Sequence, residues 1–571
     1  MAKASSGGTD GAAGKETMAT KASETAVTCT INGVQVTVPK GTRIIEAAER
    51  AGIGIPHYCY HPGLSAPAMC RMCLVEIEGA PKLTPACVTE VADGQVIRTE
   101  TERAREARTG VLEFYLINHP LDCPICDKSG ECKLQDYAAQ EGRKHGRFLE
   151  QKRVFGRDDF GGDILYEGTR CIMCTRCVRF MREIAGDDAL CVVQRGHRSV
   201  IDTFYDRGVE GSLWAGNIVD ICPVGALLSK DFLHKARAWD LDRTNSICPN
   251  CSQGCNIRIE TRDDVVQRLK PRENPEVNSY WMCDYGRLGY EWLNRGRVEA
   301  TGAEDAGAAE RVEAPLVRDE SGKLVAASWQ QAMLALVERL REVRGAAPVY
   351  AVGSPFHANE DNGLLARLVA ALGGEGGVFR SARAEDEVVC PGFPKLARRR
   401  DLSANARGLE VLGLRRTGDD DAHGGLDAPD GGVLLVLGDA LADQPADFGA
   451  GARLFVYLGD SLSPAARNAD FVLPITTFAE QEGTFTNFEG RVQRFWPALR
   501  PRGLARPAWQ VLGVALAGLD DTQAPATAAD AFLLLGETHD AFRGLSYEQI
   551  GARGALLNTM VGRIAATAEE A

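Results

Sequence analysis

The sequence predicts a multidomain α/β protein whose N-terminal half is organised around cysteines. Three observations lead there. The chain has 571 residues, room for several domains of roughly 150 residues each. Its 18 cysteines are unevenly placed: seventeen lie between Cys29 and Cys283, and Cys390 stands alone after them. Past residue 300, "GGVLLVLGD" and "ARLFVYLGD" read as buried strands of an α/β sheet.

Composition narrows the class. Hydrophobic residues make up 44% and charged residues 25%, the profile of a globular protein. A net charge of −13 argues against a general nucleic-acid binder, which needs a basic face. No apolar run has the length of a membrane span, and "VLLVLG" (433–438) reads as a buried strand. Residues 1–26 lack the apolar stretch of a secretory signal. They also lack arginine and carry Asp10, Glu16 and Glu24, unlike a transit peptide. They are expected to form a disordered extension. A large chain without an export signal is a poor candidate for disulfides, so metal or cluster ligation is expected.

The elements follow in chain order. "VTCTINGVQVTV" alternates apolar and polar residues around Asn32-Gly33, a hairpin signal. "TRIIEAAERAG" reads as a helix with Thr42 as N-cap and Gly52 at the C-cap. Cys59, Cys70, Cys73 and Cys87 come next, spaced C-x10-C-x2-C-x13-C. Hairpin, helix, cysteine loop and further strands suggest the small β-grasp sheet of [2Fe–2S] ferredoxins. Structural zinc is the alternative, since CxxC suits it too.

The second set is His119, Cys123, Cys126 and Cys132 in "HPLDCPICDKSGEC". "REARTGVLEFYLINH" before it shows a helical apolar face at Val111, Leu112, Tyr115 and Leu116. His119 therefore falls at a helix end, where a histidine is favourable on electrostatic grounds alone. Taken alone it reads equally well as a ligand. No unassigned cysteine between Cys87 and Cys171 completes the set. Imidazole can replace thiolate on a cluster iron, and it raises the potential where it does.

"CIMCTRC" supplies Cys171, Cys174 and Cys177, and "CPVG" supplies Cys222. In two-cluster ferredoxins the run is C-x2-C-x2-C-x3-C-P, and each fourth cysteine binds the other cluster. Here Met181 stands at the fourth position of the first run. Counting back from Cys222, Ser212, Ala215 and Ile218 stand at the first three positions of the second. One cluster's ligands are all absent and the other's all present. The reading is a degenerate two-cluster ferredoxin-like domain holding one [4Fe–4S] cluster, and zinc spacings fit this run poorly. The fourth set, Cys248, Cys251, Cys255 and Cys283, suits either zinc or a [4Fe–4S] cluster. Of the remaining cysteines, Cys29 and Cys191 are expected in the core, and Cys390 has no assigned role.

Together these motifs resemble the large iron–sulfur subunit of respiratory complex I, NADH:quinone oxidoreductase. The resemblance covers about residues 27–300 and rests on "CYHPGLSAPAMCRMCLVEI", "HPLDCPICDKSGECKLQD", "RCIMCTRCVRF" and "CPVGAL". It implies a [2Fe–2S] cluster, a [4Fe–4S] cluster held by one histidine and three cysteines, and a [4Fe–4S] cluster held by four cysteines, all carrying electrons. His119 matches the family's histidine ligand. A further [4Fe–4S] cluster occurs in some bacterial members, off the main electron route. Residues 300–500 resemble, more weakly, the molybdopterin oxidoreductase fold. The carriers are "APLVRDESGKLVAASWQQAM", "GSPFHANEDNGLLARLVAALGG" and "ADFVLPITTFAEQEGTFTNFEGRVQRFWPALRP". No G-x-G-x-x-G or G-x4-G-K-[ST] is present, and no molybdenum is expected. Gly483 to Gly490 reads as scaffold turns.

The expected domains are an extension (1–26), a [2Fe–2S] domain (27–104), a histidine-ligated segment (105–144) and a ferredoxin-like [4Fe–4S] domain (145–240). A second [4Fe–4S] domain (241–297), a shortened α/β molybdopterin-oxidoreductase-like domain (298–515) and a C-terminal tail (516–571) follow. Residues 299–314 read as a linker and 417–432 as a loop. The implied role is an electron wire at the cytoplasmic face of the bacterial inner membrane. Its implied partners are the flavin/NADH-binding subunit, the small [2Fe–2S] subunit and the quinone-module subunits. Membrane contact is expected only through that complex. No flavin or NADH site is recognisable on this chain. Two other readings compete. A formate dehydrogenase or hydrogenase subunit would carry more ligand cysteines, and a histidine beside Cys390. A zinc-bearing scaffold would be colourless.

Overall fold

The computed structural model describes residues 26–204, 206–297, 310–417, 426, 428 and 430–558. The expected N-terminal extension, the 299–314 linker and the 417–432 loop fall wholly or largely outside them. The chain forms two compact units. One comprises the described residues to 60 with 66–117 and 136–149; the other comprises 61–65, 118–135 and the residues from 150 on.

The first unit is built on a five-stranded mixed sheet. Its order is Val34–Pro39, Ala26–Ile31, Val96–Arg98, Leu74–Ile77, Thr84–Pro85. The hairpin pairs Ile31 with Val34. Asn32 (φ 48°) and Gly33 (φ 85°) take the left-handed conformations of its two-residue turn. Asn32 is then clamped to Thr99: its amide donates to the hydroxyl at 2.7 Å, and the Thr99 backbone N–H donates back at 2.8 Å. Helix Ile44–Arg50 buries Ile44, Ile45, Ala47 and Ala48 against Cys29, Ile31, Val38 and Ile97. Its N-cap is Arg43 rather than Thr42. The Thr42 hydroxyl is drawn away to the Pro39 carbonyl, 2.7 Å.

Helix Glu102–Asn118 ends just before His119, but the face it buries differs from the expected one. Ala104, Arg108 and Leu112 are inside, whereas Val111, Tyr115 and Leu116 are half-buried. Arg108 is tolerated there because its guanidinium pairs with Glu141 and donates to the Thr99 carbonyl at 2.7 Å. A buried charge needs such partners.

In the second unit a three-stranded antiparallel sheet sets Ile164–Glu167 between Arg157–Gly161 and Leu227–Ser229. Helix Arg176–Phe180, continued by the π turn Met181–Ala185, and helix Asn217–Ile221 accompany it. Asp242–Ile247, Asn256–Arg262 and Val265–Pro271 form a separate meander.

Beyond residue 310 an eight-stranded sheet carries six parallel strands. Numbered along the chain they are Val349–Gly353, Gly377–Phe379, Leu414–Arg416, Val433–Leu437, Leu454–Gly459 and Phe471–Pro474, and they lie in the order 3-2-1-4-5-6. That is the doubly wound arrangement, whose order reverses between the first and fourth strands. Both strands expected from "VLLVLG" and "LFVYLG" are buried on two faces. Val433, Leu435 and Leu437 pack against helices on one face, and Leu434 and Val436 against loops and the 3-10 turn Ala465–Asn468 on the other.

The expected tail needs correction. The 515/516 boundary falls inside helix Ala508–Asp520. A second helix, Ala528–Thr538, buries Ala528, Ala531, Phe532 and Leu535 in the main core. That spacing is an amphipathic stripe, and the Thr527–Asp530 capping box starts it. Strand Ala555–Leu556 then pairs with Arg491–Val492.

Candidate cluster sites

Cys59, Cys70, Cys73 and Cys87 converge in the first unit, all buried. Left-handed Ala68 (φ 54°) and Arg71 (φ 58°) fold the loop around them. The backbone N–H groups of Met69 and Cys70 point at the Cys59 sulfur, and that of Tyr58 donates to Cys70 at 3.5 Å. Cys59 is within hydrogen-bond reach of Cys70 and Cys87, and Cys73 of Cys87. Contact with its sulfur neighbours, then burial, pushes the Cys87 thiol far up.

In the second unit Cys126 and Cys132 are buried, while Cys123 is exposed on the turn Cys123–Ile125. Nδ1 of His119 is buried without a hydrogen-bond partner. Burial, with Lys152 and Arg170 nearby, lowers the imidazole to about 4, so it is neutral and able to act as a ligand at neutral pH. Arg170, itself buried and paired with Asp122 at 2.9 Å, acts on both His119 and Cys126. A buried ring nitrogen without a partner is the kind of atom that a histidine ligand offers.

Cys171, Cys174, Cys177 and Cys222 line one cavity, closed by Tyr166, Ile172, Ile201 and Val224. Left-handed Met173 (φ 53°) and Thr175 (φ 57°) coil the C-x2-C-x2-C run, and the Met173 N–H donates to Cys171 at 3.4 Å. Burial pushes Cys171 up to about 11 and Cys174 up to about 12, so ligation must remove their protons. Met181, Ala215 and Ile218 are buried apolar side chains. Cys191 lies apart from this cavity. It is half-buried on strand Leu190–Val193 with its thiol toward the Asp202 carbonyl, and Val192 is exposed, so the core position expected for it is not found. Among the described residues the strand pairs with Val200–Thr203 alone.

Cys248, Cys251, Cys255 and Cys283 are buried together and act on one another electrostatically. A Cβ on Gly286 would lie 2.8 Å from the Cys248 sulfur, so the glycine makes room for it. Cys29 is buried in the sheet core. Cys390 is fully buried, its thiol donating to the Ile184 carbonyl at 3.4 Å. Among the described residues, no group of three or more His, Cys, Asp or Glu side chains is arranged to hold a single metal ion.

One segment, 213–225, joins the three sets of this unit. The Lys133 N–H, next to Cys132, donates to the carbonyl of Pro223, next to Cys222, at 3.0 Å. The Gly216 N–H donates to Asp284, next to Cys283, at 2.9 Å, and Asn217 exchanges hydrogen bonds with the Met282 backbone. Gly225 and Gly286 abut ligand sulfurs, those of Cys126 and Cys248, and Tyr166 lines the third cavity, placements that cysteine spacing does not reveal. Only the glycine of "CPVG" carried a local signal.

At the switch point of the parallel sheet, Ser354 and His357 fill the crevice. A Cβ on Gly438 would lie 2.6 Å from Ser354, and the His357 ring bonds the Ser354 hydroxyl at 3.0 Å. The Ala358 N–H, at the start of helix Asn359–Ala371, is taken by Asp361 at 2.9 Å. The chain's own groups occupy the place where a doubly wound fold binds a phosphate.

Five family models match in succession. The 2Fe-2S iron-sulfur cluster binding domain matches residues 24–102, and the NADH-ubiquinone oxidoreductase-G iron-sulfur binding region matches 108–147. The ferredoxin-like domain of NADH-quinone oxidoreductase subunit 3 matches 161–228. The molybdopterin oxidoreductase Fe4S4 domain matches 241–295, and molybdopterin oxidoreductase matches 441–517. The NADH-quinone oxidoreductase-G protein of Rickettsia bellii is 42% identical over 316 residues, 55% of this chain and 44% of the relative. That of Rickettsia felis is 40% identical over 344 residues, 60% of this chain and 49% of the relative. The mitochondrial NADH dehydrogenase [ubiquinone] iron-sulfur protein 1 of Solanum tuberosum is 42% identical over 314 residues, 55% of this chain and 40% of the relative. The chain thus spans under half the length of these curated relatives. The order of the matched domains is that of the multidomain α/β architecture described above.

Proposed function

From the close homology of this chain to the NADH-quinone oxidoreductase-G proteins, we propose that it is an iron–sulfur electron-transfer subunit in the peripheral arm of a complex I. Cys59, Cys70, Cys73 and Cys87 would hold a [2Fe–2S] cluster. His119, Cys123, Cys126 and Cys132, then Cys171, Cys174, Cys177 and Cys222, then Cys248, Cys251, Cys255 and Cys283, would each hold a [4Fe–4S] cluster. When bound, such groups accept and release single electrons. The observation that carries the reading is the third cavity: Cys222 joins Cys171, Cys174 and Cys177, while, of the reciprocal positions, Met181, Ala215 and Ile218 are apolar and buried and Ser212 is half-buried.

The chain's own part is to hold, shield and tune. Burial of most of these sulfurs keeps water away, and backbone N–H groups aimed at Cys59, Cys70 and Cys171 stabilise thiolate charge. Neutral His119 adds no negative charge to its set, which favours the reduced state there. The doubly wound domain acts as scaffold. Its filled switch point favours that role over molybdenum chemistry, and full burial of Cys390 disfavours it as an open ligand. Electrons would come from the flavin/NADH-binding subunit and the small [2Fe–2S] subunit and leave toward the quinone module. The chain would lie peripherally at the cytoplasmic face of the bacterial inner membrane. No helix among the described residues is long and apolar enough to cross a membrane.

Metal and acid-labile sulfide analysis of the anaerobically purified complex, with EPR after reduction, tests this. The expected content assigned to this chain is about 14 irons, without molybdenum. Stoichiometric molybdenum, or zinc in place of iron in any set, overturns it.

A further inference from the structure

Tyr166 belongs to no ligand set, yet it lines the cavity of one. It sits on strand Ile164–Glu167, 1% exposed, with its ring stacked on Phe160 at a centroid distance of 4.6 Å and an angle of 20°. The strand is held on both sides, Tyr166 opposing Leu227 on one neighbour and Asp158 on the other, so the ring is fixed. It lines the same cavity as Cys171, Cys174, Cys177 and Cys222. Its hydroxyl oxygen is buried and has no hydrogen-bond partner within normal geometry among the described residues. Among the polar groups that act on it are the Cys171 sulfur and the Ile201 backbone N–H.

A buried hydroxyl left unpaired is costly, and phenylalanine would pack the same space without that cost. The hydroxyl oxygen can accept from Ile201 while its proton turns to sulfur. We propose that Tyr166 is a positioning residue that donates a hydrogen bond to the ligated sulfur of Cys171 and raises the reduction potential of the third cluster. Reduction adds negative charge that spreads onto the thiolate sulfurs. A fixed donor at one of them therefore stabilises the reduced state more than the oxidised one. The inference rests on the cluster assignment proposed above.

The test is redox titration followed by EPR on the anaerobically purified complex, with iron content measured in parallel. Tyr166→Phe is expected to keep its iron and show a lower midpoint for the third cluster alone. 3-Fluorotyrosine placed at position 166, a stronger donor, is expected to raise it, which decides the matter if the phenylalanine variant loses the cluster. Unchanged midpoints in the iron-replete variants overturn the role of Tyr166. Absence of a cluster on this set in the wild-type complex overturns the assignment itself, a separate outcome.

Discussion

Gly225, three residues past Cys222, lies directly against the sulfur of Cys126. The second and third ligand sets thus share a wall. A Cβ at this position would collide with that sulfur and come within 3.2 Å of the Lys128 Cβ. Gly225→Ala is expected to displace Cys126 and cost about 1–3 kcal/mol, as overpacking does. Iron should be lost first from the His119 set. An unchanged EPR spectrum and melting temperature would contradict the shared wall.

His119 carries the second prediction. Its Nδ1 is buried and has no hydrogen-bond partner among the described residues. His119→Ala should open or lose the second cluster. His119→Cys should keep it at a lower midpoint, because thiolate adds negative charge at the iron. A His119→Ala protein with the wild-type signal and midpoint would reduce His119 to a helix-end residue.

Cys222 and Cys191 are distinguished by place. Cys222 lines the third cavity, whereas Cys191 faces the Asp202 carbonyl on a two-stranded ribbon. Cys222→Ser should remove the third cluster and interrupt NADH-to-quinone electron transfer in the assembled complex. Cys191→Ser should leave iron content and turnover near wild type. The opposite pattern would dismiss the one-cluster ferredoxin reading.

Glu360 supplies a pH-dependent prediction. It is fully buried, and burial pushes its carboxyl up to about 8 although Thr484 and Tyr547 donate to it. Below about 4.5 the folded and unfolded chains both hold the proton. From there to about 8 only the folded chain holds it, so this group makes stability fall as pH rises through that window, by up to about 1.4 kcal/mol per unit. Above it the contribution is flat. Denaturant unfolding across pH 5–8 should show a shallower slope in Glu360→Gln. Equal slopes would mean that Glu360 is ionised in the fold.

Local signals in the sequence determined much of this protein. Asn32-Gly33 is a hairpin turn because both residues tolerate positive φ. The runs at 433–437 and 454–459 are strands because unbroken β-branched, aromatic and leucine residues need a sheet covered on both sides. Cysteine spacing named which residues are offered as ligands, since a few intervening residues set which sulfurs can face one point. The tertiary structure decided what depends on distant partners. Arg108 is buried because Glu141 and the Thr99 carbonyl meet it, and no pattern within one helix reveals that. Residues 516–558 are folded because the stripe from Ala528 to Leu535 finds a core built by strands some hundred residues earlier. The shared wall of Gly225 and Cys126, and the cavity that sets Tyr166 beside Cys222, join segments far apart in the chain. Sequence periodicity acts over a turn or a strand, whereas such contacts exist only once the whole chain has packed.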